Sequence, residues 1–347
     1  MPITWPANLD AAKIGPSATT LVDQALKRSA GSLTPSVTVA IGKGPNLGLI
    51  AQAGTYAPGG KPVTGLETMY DMASVTKVAA TTMVAMLLFD EHRIDLDAKA
   101  VTYWPELKGL HKGDITIRQM LTHTSGLPDI PINKPGRAAA LAQFMKVSIV
   151  TPGVVVYSDM NMVMLWEIEG RIIGSPVERL LAERVWHPLG MCHTGFNPAK
   201  PCVTCAPSLS QLTPGVPSDG TAVSFDGVTG NAGLFSTAED MGRFAALMAN
   251  RGILFGKRII SESTVDLFIK AQVDSRALGW DTQQEHAPAP TSGLTFGHTG
   301  WTGTSVEVDP TTKSWAVVLT TYRVGTSSPD THTLTQLRHD IIVAASS

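Results

Sequence analysis

The chain has 347 residues, 43% of them hydrophobic and 16% charged, an ordinary globular balance with length enough for a buried core and two lobes. A net charge of −2 excludes the bulk basic field of a nucleic-acid-binding protein. No apolar run reaches the roughly 20 residues of a membrane span, and Met1-Pro2-Ile3-Thr4-Trp5 lacks the regions of a secretory signal, so a cytoplasmic protein is expected unless a signal has been removed.

Residues 17–29 read as an amphipathic helix, with Leu21, Val22, Ala25 and Leu26 on one face. Residues 36–41 are β-branched and strand-like, 42–46 carry turn chemistry and 47–56 return as a second strand, which together predict a hairpin. A Gly/Pro-rich loop follows over 57–66. Residues 74–91 predict a helix apolar on nearly every side, hence central and buried. The stretch 92–230 has few strand signals. It predicts helices at 115–123 (capped near Thr116), 161–173 and 176–186, then a long loop at 198–230 of the kind that forms lids or walls. A helix is expected at 239–251, strands at 304–308 and 315–322 with Asp309-Pro310 turning between them, and a closing helix at 331–345. Strands at both ends imply one sheet built from both termini. Residues 1–91 and 231–347 would form an α/β domain, and 92–230 a mainly helical insertion.

Three fragments carry chemistry. Ser74-Val75-Thr76-Lys77 is the only S-x-x-K, and helical spacing puts the Lys77 amine one turn from the Ser74 hydroxyl. An N-capping serine with a solvated lysine is the plainer reading, but it leaves a lysine unexplained in an apolar helix. Burial there would lower the amine's pKa toward that of a useful base. Tyr157-Ser158-Asp159-Met160-Asn161 stands at a loop-to-helix junction. Tyr157 could shuttle a proton beside a lysine, or simply be buried next to a helix cap formed by Ser158 or Asp159. Gly297-His298-Thr299-Gly300-Trp301-Thr302-Gly303 would let a strand approach a substrate closely, or form a hairpin approach with a surface histidine.

Other residues read more plainly. Cys202-x-x-Cys205, with Cys192-His193 nearby, lacks the second ligand pair of a zinc site and reads as reduced thiols with an optional local disulfide; no metal or cofactor is expected. His123 reads as a loop-holding residue, and Met160, Met162 and Met164 as core filler. Trp301 reads equally as core edge and as substrate wall. The G-x-S-x-G and H-E-x-x-H motifs are absent.

In order and approximate spacing the three fragments resemble the serine β-lactamase and penicillin-binding-protein superfamily, in the class C-like branch that also holds DD-peptidases, D-aminopeptidases and family VIII carboxylesterases. Leu121-Thr122-His123-Thr124-Ser125-Gly126-Leu127-Pro128, Pro188-Leu189-Gly190-Met191 and Gly233-Leu234-Phe235-Ser236-Thr237 extend the resemblance from about residue 36 to the closing helix. It implies an α/β, β-lactamase/transpeptidase-like fold: an antiparallel sheet flanked by helices, with an inserted helical lobe and the active site between. Ser74 would be the acylated nucleophile, with Lys77 and Tyr157 as the general-base system. The backbone N–H groups of Ser74 and Trp301 would form the oxyanion hole, and Asp159, His298, Thr299 and Gly300 would bind substrate.

Two residues depart from the family pattern. His298 stands where lysine is usual and is only partly charged at neutral pH, which weakens binding of a substrate carboxylate. Asp159 stands where asparagine is common and replaces an amide donor by an acceptor; Asn161 could substitute for it or face elsewhere. The expectation is a serine hydrolase acting through an acyl-enzyme on Ser74, favouring short or compact carboxylic esters. A DD-peptidase, D-aminopeptidase or weak β-lactamase is the alternative, and acyl transfer from the same intermediate a further one. Its partner would be a small ester, amide or β-lactam, without nucleic acid or a membrane.

Overall fold

The computed structural model describes residues 16–56, 60–63, 66–199, 202–209, 213–282, 286–324 and 330–347. The opening pentapeptide and part of the 57–66 loop lie outside the described residues.

Ten strands are present among them: β1 (Ser36–Lys43), β2 (Asn46–Gly54), β3 (Tyr70–Asp71), β4 (Gly195–Phe196), β5 (Leu234–Ser236), β6 (Ile253–Leu254), β7 (Lys257–Arg258), β8 (Phe296–Thr299), β9 (Ser305–Val308) and β10 (Ser314–Thr320). The main sheet is antiparallel in the order β2-β1-β10-β9-β8, so the two ends of the chain do build one sheet. Its central pair aligns Val39 with Val318 and Ala40 with Val317. Alternation then sends Val37, Val39, Ile41, Ala316 and Val318 to an outer layer with helices Pro16–Ser29 and Thr331–Ser346. Ala40, Trp315, Val317 and Leu319 join the large inner core. Burial on both faces explains why β1 reads as a nearly continuous apolar run. Trp315 needs small neighbours: a Cβ on Gly42 would stand 2.2 Å from its ring, and one on Gly242, in the helix Ala238–Ala249, 3.1 Å.

The inner core is organised around residues 73–90. This stretch is long and apolar enough to cross a bilayer, contrary to the sequence expectation, but 83% of it is buried inside the protein. It is not one regular helix: a 3₁₀ turn over Ala73–Val75 and a π-helical turn over Lys77–Thr82 precede the α-helix Met83–Asp90. Met160, Met162 and Met164 pack into this core from the helix Asp159–Ile173.

Several elements were not anticipated. β3, β5 and β4 form a three-stranded sheet of two- and three-residue strands. Helices also occur at Arg137–Phe144, Gly220–Ser224 and Glu262–Ile269, the second within the presumed loop. Cys202 and Cys205 form the local disulfide that the sequence left optional, while Cys192 is free and exposed. Among the described residues no group of three or more His, Cys, Asp or Glu side chains could hold a metal.

Candidate active site

The nucleophile turn is fixed from below by Asp71, the last residue of β3. Its buried carboxylate accepts from the Ala73 N–H at 2.9 Å and from the Ser218 N–H at 2.7 Å. Burial raises its pKa above the ordinary range, against the pull of those backbone bonds. Ala73 is held at φ 46°, a left-handed conformation that costs a non-glycine residue energy. Ser74 follows it into the 3₁₀ turn.

Lys77, one turn on, is fully buried. Its Nζ lies 2.8 Å from Ser74 Oγ, 3.0 Å from the Asn231 carbonyl and 2.6 Å from Asp159 Oδ1. Burial alone would lower its pKa, as the sequence suggested. The Asp159 charge and the Tyr157 hydroxyl outweigh burial and raise it, so the resting lysine is an ammonium. The expectation failed because the counter-ion could not be placed from the sequence.

Tyr157 stands beside this pair, its ring centroid 5.1 Å from Lys77 Nζ. His123 stacks on it at 4.7 Å, and the Arg276 guanidinium lies 5.6 Å from its ring. His123 Nδ1 accepts from the Ser158 N–H and from Asn161 Nδ2, each at 3.2 Å. Asn161 is fully buried and also meets Ser125, so it faces away from the cleft and does not replace Asp159 as a substrate contact. Burial, then the Arg276 and Lys77 charges, push His123 down to about 3.

The strand fragment is tied to the nucleophile turn by side chains. Thr302 Oγ1 donates to the Asp71 carbonyl at 2.8 Å and Thr304 Oγ1 to the Met72 carbonyl at 3.0 Å. Gly300 sits in the resulting crevice, where a Cβ would stand 2.1 Å from Thr304 Oγ1 and 2.6 Å from the Met72 carbonyl oxygen. His298 corrects the sequence reading. It is buried, donates from Nδ1 to the Thr299 carbonyl at 2.8 Å, and is held neutral well below the usual imidazole range by burial and then the Lys77 charge. It is therefore neither a surface histidine nor a partial cation, and it does not line the cleft.

The cleft itself measures about 490 Å³. Ser74, Tyr157 and three carboxylates, Asp129, Asp159 and Asp219, line it together with Thr299, Gly300, Trp301, Arg323 and Arg338. Burial raises the pKa of both Asp129 and Asp219, and the Asp159 charge pushes each the same way. Trp301 is 50% exposed, a wall and not core, and the Arg323 guanidinium lies 4.2 Å over its ring.

The structure thus gathers Ser74, Lys77, Tyr157, Asp159, Thr299, Gly300 and Trp301 around one opening and leaves His298 behind it. Sequence reasoning missed Asp71, Asp129, Asp219, Asn231, Arg276, Arg323 and Arg338. Asp71, three residues before Ser74, Asp129, next to Pro128, and Asn231, two before Gly233, adjoin segments already singled out; Asp219, Arg276, Arg323 and Arg338 come from segments without a motif.

Comparison with known proteins fits this geometry. The sequence signature described as Beta-lactamase matches residues 23–339. Two proteins provisionally named D-alanyl-D-alanine carboxypeptidase, from Escherichia coli strain K12 and from Escherichia coli O157:H7, are 29% and 31% identical to it over 307 residues, covering 75% of this chain and 70% of theirs. Among solved structures, EstCE1, a hydrolase with promiscuous acyltransferase activity, superposes with a TM-score of 0.77 at 18% identity, covering 94% of this chain and 98% of that one. A penicillin-binding-protein homologue from Caulobacter crescentus gives 0.77 at 19% identity, with 96% and 99% covered. A class C β-lactamase from Rhodobacter sphaeroides gives 0.72 at 17%, with 95% and 99% covered. With the signature spanning nearly the whole chain, the protein belongs to the Beta-lactamase family, within the serine β-lactamase and penicillin-binding-protein superfamily.

Proposed function

We propose that the protein is a serine hydrolase working through an acyl-enzyme on Ser74, with compact carboxylic esters as its substrates. The observation that carries the reading is the 2.8 Å contact between Lys77 Nζ and Ser74 Oγ at the floor of an open cleft. Ser74 Oγ attacks the substrate carbonyl as its proton passes to the Lys77–Tyr157 pair. The carbonyl oxygen becomes an oxyanion facing the backbone N–H groups of Ser74 and Trp301. Collapse expels an alkoxide, which takes the proton back from the pair. Water then adds to the acyl group and releases the acid.

Two observations favour an ester over an amide. The neutral, buried His298 supplies no cation at the start of the strand fragment. Asp159, bound to Lys77, offers an acceptor and not an amide donor to the substrate. A second reading, cleavage of a D-alanyl-D-alanine peptide, draws on the names of the Escherichia coli relatives and on Arg323 and Arg338, which could meet a terminal carboxylate. Acyl transfer, the promiscuous activity of EstCE1, is a variant in which an alcohol or amine would intercept the acyl-enzyme here.

The test is a parallel panel of p-nitrophenyl acetate and butyrate, D-amino-acid amides, D-alanyl-D-alanine peptides and β-lactams on the wild type and Ser74→Ala. Ester turnover lost in Ser74→Ala supports the proposal. Ester turnover that survives the change removes the mechanism, and peptide or nitrocefin turnover without ester turnover replaces the substrate.

A further inference from the structure

A lysine ammonium carries three N–H donors, and three oxygens surround Lys77 Nζ: Ser74 Oγ at 2.8 Å, the Asn231 carbonyl at 3.0 Å and Asp159 Oδ1 at 2.6 Å. The carbonyl and the ionised carboxylate can only accept. The Asn231 carbonyl therefore engages one N–H whether the nitrogen is an ammonium or an amine, and the Asp159 carboxylate stands against the nitrogen as an ion pair. The direction toward Ser74 holds either an N–H or the lone pair. Asp159 is itself anchored. It begins the helix capped by Ser158, and its backbone N–H donates to Asp129 Oδ1 at 2.9 Å.

From this arrangement, and resting on the acyl-enzyme reading above, we infer that Asp159 is a positioning residue that acts through Lys77. Its charge holds the lysine nitrogen beside Ser74 and sets how alkaline the solution must be before acylation begins. Proton count sets the pH dependence. With Lys77 an ammonium and Tyr157 a phenol, no group is ready to take the Ser74 proton. The competent site has lost one proton from the pair, either as ammonium with phenolate or as amine with phenol. These share one macroscopic titration. An anion 2.6 Å from Nζ opposes loss of that proton in either form. Replacing Asp159 by a neutral residue of the same shape eases the loss, so the acid limb of the pH–rate profile moves to lower pH whichever partner carries the proton.

The other groups facing the pair are accounted for. His123, and His298 from β8, are held neutral through this range. Arg276, next to the Tyr157 ring, is a cation that favours proton loss and opposes Asp159. Asp129 and Asp219 act in the same sense as Asp159 but lie outside the first ring of contacts on Nζ. Asp159 is the carboxylate in direct contact.

The experiment is rapid-mixing acylation by p-nitrophenyl acetate from about pH 5 to about pH 10 on the wild type, Asp159→Asn and Asp159→Glu, with intact-mass measurement of the acetyl adduct. The Asp159→Asn acid limb is expected about 1–3 pH units lower, which raises the burst rate about tenfold or more at the acid end. Asp159→Glu keeps the anion and is expected to keep the wild-type limb. An Asp159→Asn profile superimposed on the wild type overturns the inference, as does an effect confined to KM, which would make Asp159 a substrate contact. Should Asp159→Asn not fold, Asp159→Ser takes its place: a limb lowered as expected for the lost anion supports the role, and an unmoved limb overturns it. Failure of the wild type to form any Ser74-linked adduct removes the acyl-enzyme reading and this inference together. Normal adduct formation with a limb indifferent to Asp159→Asn removes the inference alone.

Discussion

His298 is the residue whose surroundings most change its chemistry. Read in sequence it is a weak cation at a substrate site; folded, it is buried behind the cleft and donates to the Thr299 carbonyl. Burial and the Lys77 charge keep it from taking a proton, whereas an unfolded chain binds one near pH 6.5. Below that pH the unfolded state holds more protons than the folded one. Stability therefore falls as the solution is acidified, by up to about 1.4 kcal/mol per pH unit for each such histidine. Above about pH 6.5 neither state is protonated and the term is flat. Urea unfolding of the wild type and His298→Gln, at about pH 7.5 and about pH 5.5, should show the acid slope reduced in the variant by about 1 kcal/mol; equal slopes would mean that the folded imidazole protonates after all. Lys77 makes the same point with the opposite sign. Its type and spacing from Ser74 were legible, but its charge state depends on Asp159, a residue distant in sequence whose arrival depends on how the helix Asp159–Ile173 docks. Lys77→Ala should lower kcat/KM for the ester by about 10²–10⁴-fold, the usual worth of a positioned proton-transfer group. A loss below tenfold would place the base elsewhere.

The element that carries the nucleophile is held in shape by groups on either side of it. Asp71 binds the backbone of Ala73 and of Ser218, so it joins the strained turn to the segment leading into the helix Gly220–Ser224. Asp71→Ala leaves the buried Ala73 N–H unpaired, at roughly 1–3 kcal/mol, takes the acceptor from the part-buried Ser218 N–H, and releases the φ 46° residue that sets the direction of Ser74. The expected result is a lower melting temperature together with a kcat loss larger than any change in KM; a KM effect alone would contradict a role in shaping the turn. Gly300→Ala should act from the opposite side, its Cβ pressing on the Met72 carbonyl and prying the strand from the turn. Caps such as Thr116, with Gln119 completing the capping box, and Ser158 were readable because their partners lie two or three residues away. The β3–β5–β4 sheet was not, because strands of two or three residues are too short to show a period. Nor was the π-helical turn at Lys77–Thr82, whose Lys-Val-Ala-Ala-Thr-Thr sequence holds no glycine or proline to set it apart from an α-helix.

At the scale of the molecule, the active site lies where three separately built parts meet: the sheet made from both ends of the chain, the buried run from Ala73 to Asp90, and the loop from Cys202 toward Ser218. The first two were legible because long strands and long apolar helices impose a pattern on the sequence. The loop imposes none, and the placement of residues 202–206 follows from contacts made elsewhere. Cys202 and Cys205 are joined and pack on Phe235 of β5, with Met69 against them. The same segment grips the chain just before β3: the Met69 N–H donates to the Thr204 carbonyl at 2.9 Å, and the Ala206 N–H to the Met69 carbonyl at 2.8 Å. The bridge thus braces from the outside the strand that presents Asp71, and through it the nucleophile turn. Closing so short a loop removes little chain entropy, at most about 2 kcal/mol of stabilisation. In a chain of this size that corresponds to a fall in Tm of no more than about 5 °C on reduction. The larger consequence should be on the site, as a several-fold drop in kcat/KM on mild reduction or in Cys202→Ser/Cys205→Ser, with the fold intact by circular dichroism. Thiol titration of the native protein should find one reactive group, Cys192, and three after unfolding in reductant. Three thiols without reductant would mean that the bridge is absent in solution. One thiol, with activity unchanged on reduction, would mean that the Met69 bonds to the Thr204 carbonyl and from the Ala206 N–H hold the approach to β3 without the bridge's help.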